Sequence, residues 1–335
     1  MELIPVNEVY CPNCRSDLVL KKGSYFCAKC RAVYPIVNGI HVFLPPRIEP
    51  FKKAEQIVWQ IHPIEGPKEP AWKALKHKVN DITLFEKIVL PLLRFEGRML
   101  EIGAGSCWAS ALIKKTNPSL KVYAMDISFH ALLKGKGISR TLGSEIDYYI
   151  VGDIENMPFR GNLFDVILGK AVLHHLVDPL RGLLEIWRVL RPLCCYIGLE
   201  GASSRFFAPF VQRITGANKR EQQYGIIENI YSLNDWEKFL AKAGFKDVSI
   251  KLVKDYVCWR GYGLAGVCHL AVLNLLPDCL VKRFLPSSLL MITRKVRSSQ
   301  RQHPSRPILS IRESVAMKNV DLPSNGPQEK VKEET

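Results

Sequence analysis

The sequence predicts an α/β fold organised around a mainly parallel sheet with helices on both faces. Three observations lead there. Between Asn80 and Val253, apolar runs of strand length recur, and most are followed by a segment with helical spacing. These runs are nearly continuous rather than alternating, as strands covered on both faces must be. The chain has 335 residues, 47% hydrophobic and 24% charged, which suffices to bury such a sheet.

The elements follow in order. "RMLEIG" is the first strand, and "CWASALIKKTN" is a helix with Cys107 as its first residue. "KVYAMDIS" is the second strand, ending at Asp126, and "SFHALLKGKGIS" is a helix weakened by its glycines. "IDYYIVGD" is the third strand, ending at Asp153, and "LFDVILGKAVL" is the fourth. "DPLRGLLEIWRVLRP" is a strong helix: Asp178 caps it, Pro179 suits its first turn and Pro192 marks its end. "CCYIGLE" is the fifth strand. "SLNDWEKFLAKAGF" is a helix capped by Ser232 and stopped by Gly244. "KDVSIKLV" is the sixth strand and "SLLMITRK" the last.

Around this core the composition shifts. Residues 1–46 carry paired cysteines, and 47–79 form a proline-punctuated connector with some helix in "FKKAEQIVWQI". The main domain spans 80–295, with an unusually apolar insert at 254–287. Residues 296–335 are predicted to be a disordered tail. The net charge is +15, and from Lys282 to Arg312 every charged residue is basic. There is no basic start followed by an apolar run, and no stretch of the roughly 18–20 apolar residues of a membrane helix. Six scattered cysteines suit a reducing compartment, so the expected location is cytoplasmic.

Ligands of such sheets sit at the carboxyl ends of the strands. That rim collects the "GAGS" loop, Asp126, Asp153 and the residues after Leu168. Gly103 and Gly105 permit backbone angles closed to other residues and a close ligand approach. A dinucleotide loop needs G-x-G-x-x-G. Here the sixth position is Trp108, which blocks the approach of a pyrophosphate. S-adenosylmethionine (SAM) has no phosphate and fits better. Asp126 is placed to accept both ribose hydroxyls, Asp153 to meet the adenine amino group, and Glu101 to hold the methionine end.

"LEIGAGS", "VYAMDIS", "VGDIENMPF", "FDVILGKAVLHHLVDPLRGLLEIWRVLRP" and "SLNDWEKFLAKAGF" together resemble the ordered motifs of class I SAM-dependent methyltransferases of the methyltransferase-11 type. The resemblance covers about Asn80 to Val253. It implies a Rossmann-like seven-stranded sheet whose last strand is antiparallel. It also implies that Glu101, Gly103, Ala104 and Gly105 border the methionine part. Asp126 and Ile127 then match the ribose and adenine positions, Asp153 and Ile154 the adenine pocket, and Gly169 and Lys170 the segment facing cofactor and substrate. Two positions depart from the pattern: Cys107 replaces the third glycine, and Leu193-Cys194 replaces a Gly-Gly turn. His174 and His175 follow the fourth strand, and His175 is the candidate base, against a structural role at the helix entry.

"CPNC" and "CAKC" are two C-x2-C knuckles. Cys11, Cys14, Cys27 and Cys30 would fill all four positions around a structural Zn2+ in an N-terminal ribbon. That segment resembles zinc ribbons that precede or partner several methyltransferases. The favoured reading is methyl transfer to a small, hydrophobic or lipid-linked acceptor; the apolar insert is read first as a lid over the active site, with peripheral membrane contact through 264–285 as the alternative. Two alternatives stand beside it: ribosomal RNA base methylation, gripped by the ribbon and the basic tail, and a non-catalytic methyltransferase-like partner protein.

Overall fold

A single sheet of eleven strands organises the computed structural model, which describes residues 2–45, 48–61, 68–93, 96–204, 223–253, 272–285 and 287–296. The chain divides into Met1–Ser299 and Gln300–Thr335. The tail expected from 297 onward, and most of the apolar insert, lie outside the described residues.

The first four strands are β1 (Leu18–Lys21), β2 (Ser24–Cys27), β3 (Val33–Val37) and β4 (Ile40–Val42). The next four are β5 (Gly97–Ile102), β6 (Leu120–Asp126), β7 (Tyr148–Val151) and β8 (Phe164–Lys170). The last three are β9 (Leu190–Ala202), β10 (Asp247–Val253) and β11 (Ser287–Arg294). Their order is β1-β2-β3-β4-β7-β6-β5-β8-β9-β11-β10. Strands β5 to β9 pair in parallel, and β11 runs antiparallel to both β9 and β10. The seven expected strands are all present, with the last one reversed. The cysteine-bearing segment continues the same sheet, because β4 pairs in parallel with β7 from Ile40 opposite Tyr149.

Period-two alternation sorts the strand side chains between two cores. Leu100, Ile102, Tyr123 and Met125 face one, shared with Tyr25, Tyr34 and Phe43 of the N-terminal segment. Met99, Val122 and Ala124 face the other. Helices α1 (Pro50–Ile61), α2 (Ala71–Ile88), α3 (Trp108–Thr116) and α4 (Phe129–Thr141) come before β8. Helices α5 (Pro179–Val189), α6 (Leu233–Lys242) and α7 (Asp278–Phe284) follow it. The expected caps form: Asp178 accepts from the amides of Leu180 and Arg181, and Ser232 and Asp235 make a reciprocal capping box.

Two boundaries differ from expectation. Cys107 is the N-cap of α3 in the left-handed region (φ 54°), and the helix starts at Trp108. Strand β9 begins at Leu190 instead of Cys194, because Leu190 already pairs with Phe164. Leu193 within it has φ 66° and is 41% exposed. A left-handed β-carbon costs about 1–2 kcal/mol that glycine avoids. Leu193→Gly is therefore expected to raise the unfolding free energy by about 1 kcal/mol. Urea denaturation checks this, and a loss of stability would refute it.

Candidate functional site

A cleft of ≈ 770 Å³, open mouth included, lies at the carboxyl ends of the parallel strands. One wall carries Gly103, Asp126, Ile127, Asp153 and Ile154 from the tips of β5, β6 and β7. A second carries Ala171, Val172 and His175, which follow β8. The third is α1, through Phe51, Lys52, Glu55 and Trp59.

The acids at the strand tips differ in environment. Asp126 is buried; its Oδ2 accepts the Gly105 amide at 2.8 Å and its Oδ1 the Ser128 amide at 2.8 Å. Burial pushes its pKa up to about 6 against these two amides. Asp153 accepts the Glu155 amide on Oδ1 at 2.9 Å and the Lys52 ammonium on Oδ2 at 2.7 Å. Lys52 also meets Glu155 at 2.6 Å and Glu49 at 2.9 Å. Burial works against its charge, but these carboxylates outweigh it and raise its pKa.

Glu101 behaves otherwise. Its Oε2 accepts the amide and the hydroxyl of Ser110, tying β5 to α3. Its buried carboxylate is not among the groups that line the cleft. Burial pushes its pKa up to about 7. A carboxyl whose folded pKa exceeds its unfolded value costs stability once ionised: nothing below the unfolded value near 4.5, and the full cost above 7. The shift corresponds to about 3 kcal/mol. Wild-type stability should therefore fall between pH 5 and 8, and Glu101→Gln should flatten that fall. Equal slopes in denaturation at the two pH values would refute this.

Gly169 and Lys170 also fall outside the cleft. The chain reaches it one residue later, at Ala171, and Lys170 turns to Asp81 at 3.6 Å and to the Trp108 ring at 5.5 Å. Ala104 and Gly105 shape the loop from behind. The Ala104 amide donates to Met125 O, and a β-carbon at 105 would sit 3.0 Å from the Trp59 ring. Cys107 is buried, and a β-carbon at Gly135 would lie 2.5 Å from its sulfur. That glycine lets α4 approach the loop. Cys107 therefore does not fill the cleft.

His175 lines the cleft, with Nδ1 donating to Ile227 O at 3.0 Å and lying at an ion-pair distance of 3.3 Å from Glu55 Oε1. Burial opposes its charge, but Glu55, joined by Glu228 and Glu200, raises its pKa. His174 instead pairs with Glu200 through Nδ1 at 2.7 Å. Trp236 is fully buried and donates to Gly201 O, so it belongs to the core.

The α1 wall is the part that sequence reading missed. Phe51, Glu55 and Trp59 recur every four residues in "FKKAEQIVWQI", which places them on one helix face. Gln56 further fixes α1 by donating to Ile127 O at 2.9 Å. That spacing was the available signal.

Away from the cleft, the sulfurs of Cys11, Cys14, Cys27 and Cys30 all lie within 4.8 Å of one another. The two knuckles are alike: Arg15 N donates to Cys11 O and Arg31 N to Cys27 O, and both arginines have left-handed φ near 60°. The Tyr34 hydroxyl lies 3.1 Å from the Cys11 sulfur. Burial, with the Cys30 contact, pushes the Cys11 thiol up to about 12, while the Ser16 hydroxyl and amide lower the Cys14 thiol to about 6; thiolates gathered this closely would need a cation among them. The donor set fits Zn2+.

Residues 100–195 match the methyltransferase-domain family Methyltransf_11. Over 179 residues the chain is 31% identical to 2-methyl-6-phytyl-1,4-hydroquinone methyltransferase 2, chloroplastic, of Oryza sativa subsp. japonica, covering 51% of this chain and 46% of that protein. It thus spans about half the length of that relative. Over 198 residues it is 27% identical to the demethylmenaquinone methyltransferase of Staphylococcus carnosus, covering 52% of this chain and 81% of that protein. The crystal structure of geranyl diphosphate C-methyltransferase from Streptomyces coelicolor A3(2) shares the fold, with a TM-score of 0.56 at 13% identity, covering 75% of this chain and all of that one. None of the Cys11–Cys30 segment lies within the matched family residues. The strand order and the reversed last strand agree with this match: residues 100–195 are similar to the Methyltransf_11 methyltransferase domain, and the described residues share the methyltransferase fold.

Proposed function

We propose that the protein transfers a methyl group from SAM to a small hydrophobic acceptor of the hydroquinone or prenyl type. The observation that carries this reading is the cleft itself. It joins two strand-tip acids, Asp126 and Asp153, to a wall bearing Phe51 and Trp59. SAM supplies an activated methyl group on a sulfonium. The protein's part is alignment and exclusion of water. Asp126 accepts the ribose hydroxyls, and Asp153 and Ile154 border the adenine. The backbone at Gly103 leaves room for the methionine part. His175 is the base for an acceptor that must lose a proton, because its Nδ1 donates to a carbonyl and leaves Nε2 to accept. The hydrophobic acceptor is supported by the quinone-type relatives and by the Phe51 and Trp59 rings on the α1 wall.

Two further parts complete the proposal. Cys11, Cys14, Cys27 and Cys30 hold a structural Zn2+. The insert, expected to contact membrane through 264–285, exposes Val272, Leu275 and Leu280 over its described part, with Leu275 82% exposed. Among the described residues, no helix is long and apolar enough to cross a membrane.

The test is to titrate the purified protein with SAM, then incubate it with SAM labelled in the methyl group. A hydroquinone panel and total RNA serve as separate acceptors. Micromolar SAM binding and label in a hydroquinone support the reading. Label in RNA alone would overturn the acceptor class, and absent SAM binding would overturn the whole.

A further inference from the structure

The first cysteine knuckle is bonded to the turn that carries Asp153. Residues 8–10 run antiparallel beside 158–160: Tyr10 N donates to Pro158 O and Arg160 N to Glu8 O, each at 2.9 Å. Arg15, the residue after Cys14, donates from Nη2 to Asn156 Oδ1 at 2.6 Å and from Nη1 to Met157 O at 3.3 Å. Asn156 answers by donating from Nδ2 to Pro12 O at 3.0 Å. The Arg15 guanidinium also lies 4.5 Å from the centre of the Tyr10 ring. Asn156 closes a 3-10 turn, Ile154–Asn156, whose N-cap is Asp153; Asn156 N donates to Asp153 O at 3.0 Å.

The turn that aims Asp153 into the cleft is therefore held from behind by a loop with the shape of a metal knuckle. Arg15 keeps its left-handed backbone (φ 60°) only while something over-determines it. Four sulfurs on one cation do so, and binding energy at such a centre is folding energy. Without the cation, Pro12 O and the Arg15 fork lose their fixed positions. The far end of the segment is also tied to α5: Met157 N donates to Glu185 at 2.8 Å, Arg188 donates to Phe159 O at 2.6 Å, and Arg15 itself lies 3.5 Å from Glu185. Lys52 holds Asp153 and Glu155 from the α1 side. Metal loss should thus loosen the turn most at Asn156, whose side chain depends on Arg15 and Pro12, and raise exchange across 153–156 more than across 157–159.

We propose that the four-cysteine centre positions the cofactor acid, with Arg15 as the positioning residue, so that SAM affinity depends on a metal that never touches SAM. This rests on the reading of Asp153 as a cofactor residue. The test uses the whole chain, zinc-loaded and then stripped by a chelator, with circular dichroism to establish that the sheet persists. SAM affinity is read by calorimetry, and backbone protection by hydrogen exchange. Stripping is expected to weaken SAM binding about tenfold, within the roughly 5–150-fold span of coupled sites. It should also raise exchange at 153–156 and leave β5 and β8 unchanged. Arg15→Ala, with zinc content retained, should weaken SAM binding in the same direction. Lys121→Ala, which breaks the exposed Lys121–Glu2 pair on the same N-terminal segment, should not. Equal SAM affinity with and without metal, or wild-type affinity in Arg15→Ala, would overturn the proposal. If the zinc-loaded protein binds no SAM, the cofactor reading falls, and unchanged exchange at 153–156 on stripping would then overturn the brace by itself.

Discussion

Asp126→Ala is expected to weaken SAM binding at least about a hundredfold at pH 7 and to lower stability by about 2 kcal/mol at pH 5, where the carboxyl is largely protonated and its ionisation costs little. The stability term comes from two buried amides, those of Gly105 and Ser128, which lose their acceptor. Each orphaned buried donor costs about 1–3 kcal/mol, partly relieved by water entering the cleft. The binding term adds the lost ribose contact and the loosened glycine loop. Because burial pushes the Asp126 pKa up to about 6, the carboxylate needed for ribose fades below that value. Wild-type affinity should fall between pH 7 and 5, and the variant should lose this dependence. Calorimetry at the two pH values reads both effects. Unchanged affinity in Asp126→Ala would remove the residue from the site.

Gly103→Ala should be nearly as damaging. Gly103 has φ 61°, and a β-carbon there would lie 2.2 Å from Cγ2 and 2.6 Å from Cβ of Val172. Val172 cannot retreat freely, since its amide and that of Leu173 both donate to the buried Glu200 carboxylate. Left-handed strain of about 1–2 kcal/mol adds to overpacking of about 1–3 kcal/mol. The predicted total is about 2–5 kcal/mol of lost stability, with the loop displaced and SAM binding weakened. Thermal unfolding together with SAM titration checks this. Normal stability with normal binding would mean that Val172 repacks without cost.

The particular elements explain why much of the fold was legible. "RMLEIG" and "KVYAMDIS" become β5 and β6 because an unbroken apolar run between helices must sit in a covered parallel sheet. Asp178 and Ser232 act as caps because capping is decided within four residues. The cleft was legible because strand tips define it: Asp126 ends β6, and Asp153, two residues past β7, caps the next turn, and both line the cleft. Side-chain rotation is less legible: Glu101 and Lys170 lie at the same rim but meet Ser110 and Asp81. The α1 wall stayed hidden for another reason. Trp59 meets the loop at Gly105 across 46 positions of chain, and no local spacing encodes that approach. The pairing of β4 with β7 was invisible likewise, since it joins Ile40 to Tyr149.

That pairing bears on how the protein behaves in pieces. Without residues 1–46, β7 ("YYIV") would end the sheet with a bare row of amides and carbonyls beside two tyrosines, an isoleucine and a valine. Such an unshielded flank invites another chain to add itself, and self-association follows. The N-terminal segment shifts the flank outward to β1, a strand of only four residues that ends in Lys21. Short length and a terminal charge are two of the devices that discourage stacking between copies. The segment thus acts as a built-in blocker, and trimming it is expected to yield aggregates.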